Sequence, residues 1–216
     1  MYRGKRQPAY LLIGAYITAT LFAILIAGVL NNFGYIHAID QAGFRGALAV
    51  RNPGLTALVV PLTNFGNPLV VTILSIILAL IFAMRRQWTL FSFVAVNMMG
   101  INAVNYIVKN IVERVRPFNA DATVHNLVAA SGWSFPSGHS TGAVLLYGTI
   151  IVCAAALVQK RWQVNWLRGI SVFLLITIPL SRIYVQVHYP TDVLAGLCLG
   201  ATGLFLSLYF FDTENA

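Results

Sequence analysis

Residues 181–192, SRIYVQVHYPTD, set a guanidinium (Arg182), an imidazole (His188) and a carboxylate (Asp192) between two long apolar runs. Ionisable groups beside bilayer-length segments are costly, roughly 2.5–3.5 kcal/mol for a charge at a helix centre on insertion scales. Three of them together suggest chemistry. His188 and Asp192 are four residues apart, so on a helical start they share one face. A carboxylate so placed fixes the imidazole tautomer and supports its basicity. Arg182 lies six residues before His188, across a turn, and its planar fork of donors suits phosphate. On this stretch alone a second reading is equally open: a re-entrant corner whose polar residues only satisfy one another.

Two other stretches carry matching chemistry. Asn102, Asn105 and Lys109 fall at i, i+3 and i+7, a polar stripe ending in a lysine, and Arg116-Pro117 follows seven residues on. The stripe reads as the wall of a polar site. Phe135-Pro136-Ser137-Gly138-His139 opens another apolar run. Pro136 suits the first turn of a helix, and Gly138 lets a ligand approach backbone N–H groups that a helix start leaves unpaired. Such a terminus, with Lys109, Arg116 and Arg182, makes a pocket for a tetrahedral oxyanion of more than one charge, which phosphate fits best. Two histidines near phosphorus divide the labour, one attacking and the other protonating the leaving oxygen. His188, backed by Asp192, is the better nucleophile; His139, at the helix start, is the better general acid. The sequence shows no carboxylate cluster of the two-metal kind, so the cations take over a metal's electrostatic work, and neither metal nor cofactor is expected.

The elements that must position these residues are membrane spans. Of 216 residues, 58% are hydrophobic and 9% charged, against about 25% charged in soluble domains. The length allows five to seven spans at roughly 20 residues each and a single membrane domain over 1–216. The expected fold is all-α and polytopic, with six spans at about 10–30, 68–84, 89–110, 136–158, 169–184 and 190–211. The first follows a basic start (3–6, RGKR) and is too long for a signal-peptide core. Between spans one and two, residues 31–67 are broken by glycines and prolines and read as two short interfacial helices. Pro179 predicts a kink near the outer end of span five.

With the N-terminus inside, the inner side holds Arg3, Lys5, Arg6, Arg85, Arg86, Lys160, Arg161 and Arg168. The outer side holds Arg45, Arg51, Lys109, Arg114, Arg116 and Arg182. Eight against six is a modest positive-inside bias. The end of span three, the start of four, the end of five and the start of six must share one face, where every residue named above falls. The net charge of +8 is therefore divided between topology and a site, and nucleic acid is not an expected partner. Cys153 and Cys198 lie in apolar runs and read as packing.

Lys109-x6-Arg116-Pro117, Pro136-Ser137-Gly138-His139 and Ser181-Arg182-x5-His188-x3-Asp192 together resemble the three signature motifs of the type 2 phosphatidic acid phosphatase superfamily, in order and on the helix ends where the family has them. The resemblance implies a metal-independent lipid phosphatase working through a phosphohistidine. His188 would be the nucleophile, Asp192 its orienting partner and His139 the general acid. Lys109, Arg116 and Arg182 would grip the phosphoryl oxygens, and Ser137 and Gly138 would add a hydroxyl or backbone donors. Glu113 and Arg114, inside the first motif, read as a local helix-end pair, and His37 and His125 as interfacial or loop residues.

A transporter or channel would spread its charges through the membrane depth, whereas here they cluster at one face. A non-catalytic lipid-binding relative would be expected to lose a histidine, and both are present. The vanadate haloperoxidases that share the pocket are soluble. A small six-span chain looks like the bacterial members that act on phosphatidylglycerophosphate or undecaprenyl pyrophosphate, with phosphatidic acid and other lipid phosphates as alternatives. The expected setting is the cell membrane, as a monomer or weak oligomer, with both termini cytoplasmic and the site extracytoplasmic.

Overall fold

The computed structural model describes residues 8–211, and every regular element in it is helical. The basic start at 3–6 and the acidic tail DTENA lie outside the described residues. The order is α1 (Ala9–Leu30), α2 (Gly34–Ala49), α3 (Pro53–Thr63), α4 (Pro68–Met84), α5 (Trp88–Val112), α6 (Pro117–Ala120), α7 (Gly138–Ala143), α8 (Thr149–Leu157), α9 (Arg161–Tyr184) and α10 (Pro190–Phe210). A π-helical turn, Val144–Gly148, joins α7 to α8, so that Gly138–Leu157 is one span. Among the described residues, five helices or helix runs are long and apolar enough to cross a membrane, and six if α3 and α4 count as one bent span.

Two helices form within residues 31–67, as expected, and the second of them, α3, leads directly into α4. It runs through a 3-10 turn (Asn64–Gly66) into α4 with a 51° bend. The break is local chemistry. Pro68 brings no N–H to continue the ladder, and the Asn67 side chain accepts from Leu69 N–H at 2.9 Å to start the new helix. Span five begins earlier than expected, at Arg161, so Trp162, Trp166 and Arg168 ride on α9 itself.

Helix packing in lipid has little hydrophobic drive and relies on small residues that let backbones approach. On α10 this decides the site. A Cβ at Gly196 would lie 2.5 Å from the Ser137 carbonyl oxygen, and one at Gly200 would lie 2.7 Å from Val144 Cβ. The start of α10 therefore sits directly on the start of α7. On its other face α10 packs against α1, where the Thr18 and Thr202 hydroxyls meet at 2.8 Å. Below, a core of Phe82, Leu90, Phe93, Leu145, Leu146 and Ile178 fixes α4, α5, the π turn and α9 together.

Candidate active site

The turn that carries His188 is only five residues long. Past Tyr184 the chain closes with Val185 N–H to the Ser181 carbonyl and Val187 N–H to the Arg182 carbonyl, with Gln186 at φ +56. Val185 and Val187 are fully buried against Leu55 and Val59 of α3 and Leu127 and Val128 of the loop before α7. Apolar packing on both sides thus pins the turn. His188 stands one residue outside the helix, because Tyr189 is the N-cap of α10 and Pro190 its first residue. Asp192, in the first turn, folds back: its Oδ2 accepts from Tyr189 N–H at 2.9 Å and faces His188 Nδ1 at 3.5 Å. The four-residue spacing works as read, at a helix start rather than along a helix face.

Six expected residues line one cavity of about 270 Å³: Lys109, Arg116, Gly138, His139, Arg182 and His188. Its other walls are Pro68, Ala129, Ala130 and Ser131, so no carboxylate lines it among the described residues. Lys109, in the last turn of α5, donates to the Trp133 and Pro136 carbonyls at 2.7 and 3.1 Å. Arg116 spends its donors on the Ser131, Gly132 and Val187 carbonyls, and its remaining contact is Nη1 to His188 Nε2 at 3.4 Å. Arg182, buried at the end of α9, donates to Thr63 Oγ1 at 2.8 Å, and its Nε has no partner among the described residues. Gly66 supports His139 from the α3–α4 bend, where a Cβ would lie 3.2 Å from His139 Cδ2.

Two expected residues stand behind the cavity. Asp192 is fully buried beyond His188. The Ser137 hydroxyl caps α7, accepting from Ser140 N–H and Oγ at 3.4 and 3.0 Å, and it is fully buried and does not line the cavity. The helix-terminus N–H groups remain the donors on that side. The polar stripe on α5 is also narrower than read. Asn105 donates to Thr141 Oγ1 at 2.9 Å, but Asn102 is exposed and bonds its own helix at Met98. His37 and His125 are exposed and stand outside the cavity, as expected.

The largest correction concerns Arg114. It makes no pair with Glu113, which is exposed and left-handed at φ +48. Instead Arg114 Nη1 donates to Asp192 Oδ1 at 2.7 Å and Nη2 to Asp40 Oδ2 at 2.6 Å. Ser134 Oγ donates to Asp192 Oδ2 as well. Asp40, Ser134, Thr63 and Thr191 were all missed by sequence reading. Only Asp40 offered a signal, as one of six acidic residues in the chain, placed in a stretch bordering apolar runs.

Burial pushes the His188 pKa down to about 4, opposed by the Asp192 carboxylate and reinforced by Arg116 and Arg182. The imidazole is therefore neutral near pH 7. With Nδ1–H assigned toward Asp192, the Nε2 lone pair faces the cations, as a nucleophile aimed at a bound anion requires.

A multi-helix membrane bundle with two histidines and three cations around one cavity defines a phosphatase class. Residues 86–216 match the PAP2 superfamily, and the chain belongs to it as a multi-pass membrane phosphatase. It is similar to phosphatidylglycerophosphatase B of Bacillus subtilis, 29% identical over 195 residues that cover 88% of this chain and 91% of that one. The crystal structure of the transmembrane PAP2-type phosphatidylglycerolphosphate phosphatase from Bacillus subtilis superposes with a TM-score of 0.73 at 29% identity, covering 91% of this chain and 95% of that one. An undecaprenyl-diphosphatase of Sulfolobus acidocaldarius is 36% identical over 110 residues, 49% of this chain and 47% of its own.

Proposed function

We propose that this protein removes phosphate from a lipid phosphate at the outer face of the cell membrane through a phosphohistidine on His188. The carrying observation is the cavity, in which three cations, two histidines and no carboxylate among the described residues meet. Such an unbalanced positive pocket favours a multiply charged anion. The His188 Nε2 lone pair forms a bond to phosphorus as the P–O bond breaks, and the leaving oxygen takes its proton from His139. Water then attacks phosphorus and the N–P bond breaks, with His139, deprotonated in the first step, taking a proton from the water, and His188 is returned. Lys109, Arg116, Arg182 and the N–H groups at Gly138 hold the charge that builds on the phosphoryl oxygens, without a metal. The Arg182 Nε, unpartnered among the described residues, supports that role.

Phosphatidylglycerophosphate is the substrate that the likeness to the Bacillus proteins favours, with undecaprenyl pyrophosphate second. The positive-inside bias supports an outer site and cytoplasmic termini. Purified protein is expected to release phosphate from phosphatidylglycerophosphate in EDTA and to lose turnover as His188→Ala; full activity of that variant would remove the nucleophile assignment. A panel adding phosphatidic acid and undecaprenyl pyrophosphate ranks the lipids. For the face, His125→Cys in a chain with Cys153 and Cys198 replaced by serine should react with an impermeant thiol reagent in intact cells. Labelling only after lysis would put the site inside.

A further inference from the structure

We propose that Arg114 and Asp40 are positioning residues for the reaction, acting through Asp192 on His188. The inference rests on the reading of His188 as nucleophile and adds a second layer behind it. Asp192 is fully buried, and a buried carboxylate needs both hydrogen bonds and a countercharge. Its Oδ2 is met by Ser134 Oγ, Tyr189 N–H and His188 Nδ1. Its Oδ1 accepts from Arg114 Nη1 at 2.7 Å. Arg114 is the one cation in direct contact with Asp192 among the described residues, since Lys109, Arg116 and Arg182 face the cavity.

Arg114 is in turn held by α2. Its Nη2 donates to Asp40 Oδ2 at 2.6 Å, and its guanidinium lies 3.9 Å over the Tyr189 ring. Asp40 Oδ1 accepts from Thr191 N–H at 2.9 Å and Thr191 Oγ1 at 2.8 Å, so this carboxylate also closes the open start of α10 from another helix. Burial raises the Asp40 pKa, opposed by Arg114 and the two Thr191 bonds. The chain Asp40–Arg114–Asp192–His188 therefore fixes the carboxylate plane that orients the imidazole. A lone arginine would be free to rotate off Oδ1; the second carboxylate holds the fork in place.

The test is steady-state turnover of phosphatidylglycerophosphate by full-length Arg114→Met, Arg114→Lys, Asp40→Asn and the Asp40→Asn/Arg114→Met double variant, with Glu113→Gln as neighbour control and His188→Ala as check on the underlying reading. Arg114→Met should lower kcat about 10–100-fold, the range for outer partners of a working histidine at a metal site, with KM near wild type. Arg114→Lys should recover part of the loss. Asp40→Asn should lower kcat less, and the double variant should be no worse than Arg114→Met, because Asp40 acts through Arg114. The acid limb of kcat/KM should also move to higher pH in Arg114→Met. Uncompensated, the Asp192 charge holds a proton on the Asp192–His188 pair more tightly, while Arg116, Arg182 and His139, which also face His188, are unchanged. A purely structural role would lower the active fraction and leave that limb in place. An unmoved limb, a kcat within threefold of wild type, a loss borne by KM alone, or additive losses in the double variant overturns the proposal. Arg114→Lys and Asp40→Asn carry the same readouts should Arg114→Met not purify. Turnover by His188→Ala would bring down the nucleophile reading and this inference with it; its inactivity beside an unimpaired Arg114→Met would overturn the inference alone.

Discussion

His188 Nδ1 and Asp192 Oδ2 stand 3.5 Å apart across the start of α10, with Oδ2 also taken by Tyr189 N–H and Ser134 Oγ. The carboxylate is thus fixed before the imidazole meets it, and the imidazole has one stable orientation, Nε2 toward the cations. Orientation of this kind is inexpensive in contacts and large in rate.

Asp192→Asn tests it most directly. An amide can present its NH2 to Nδ1 and favour the wrong tautomer, leaving Nε2 protonated and unable to attack. By analogy with the same exchange in a Ser-His-Asp site, kcat should fall about 10³–10⁴-fold. KM should stay near wild type, because Asp192 does not line the cavity. Initial rates on lipid phosphate in mixed micelles measure both.

On the proposed role of His188 as nucleophile, the pH profile follows from its imidazole. Below about 4 the buried imidazole is protonated and has no lone pair to attack, so kcat/KM should rise with pH through about 4. The shift is downward from 6.5, so activity is present above the limb and lost as pH falls through it. Asp192→Asn removes the groups that raise this pKa and should move the limb lower, whereas Arg116→Gln removes a charge that lowers it and should move the limb higher. The second ionisation of a phosphate monoester, near pH about 6, adds a limb that neither substitution shifts.

Much of this site was legible because chemistry next to a bilayer is costly. Lys109, Arg116, His139, Arg182, His188 and Asp192 all bear ionisable side chains beside apolar runs, and short turns force their helix ends to one side of the bundle. The outer layer was not legible. Arg114 lies in the same motif as Arg116, and nothing in their order says that one faces the cavity and the other Asp192. Asp40 is separated from Arg114 by 74 residues and the whole of α3, α4 and α5. Ser137 read as a ligand donor because hydroxyls serve equally as caps and as ligands, and its burial behind the cavity as the α7 cap shows only in the fold. The α3–α4 bend was hidden because a capped restart after a break has the same residues as a loop between two separate helices.

His139→Ala should separate the two histidines. If His139 protonates the leaving oxygen, its loss matters most where that oxygen is a poor leaving group. The first step, phosphoryl transfer from a lipid monoester, should slow about 10²–10⁴-fold, and the same step on an activated aryl phosphate much less, since a phenolate departs without a proton. Equal first-step losses on both substrates would assign His139 to binding instead of acid catalysis. A rapid-quench burst of aryl alcohol, retained in His139→Ala and absent in His188→Ala, gives the same division independently.

Gly196→Ala tests whether the site depends on how closely α10 approaches α7. The added Cβ would meet the Ser137 carbonyl oxygen at 2.5 Å and Ser140 Cβ at 2.9 Å. Backbone cannot rotate away as a flexible side chain can, so the helices must part. Overpacking of this kind costs about 1–3 kcal/mol, which should appear as a lower melting temperature in detergent. Parting α10 from α7 also carries His188 away from His139, so kcat should fall in the protein that remains folded at the assay temperature. Gly100→Ala is the matched control: it lies in α5, nothing stands within 4 Å of its Cβ position, and helix propensity favours alanine there by up to about 1 kcal/mol in soluble helices. Opposite signs for the two alanines would tie the loss to the α7–α10 contact, whereas equal effects would mean that glycine matters here only for backbone freedom.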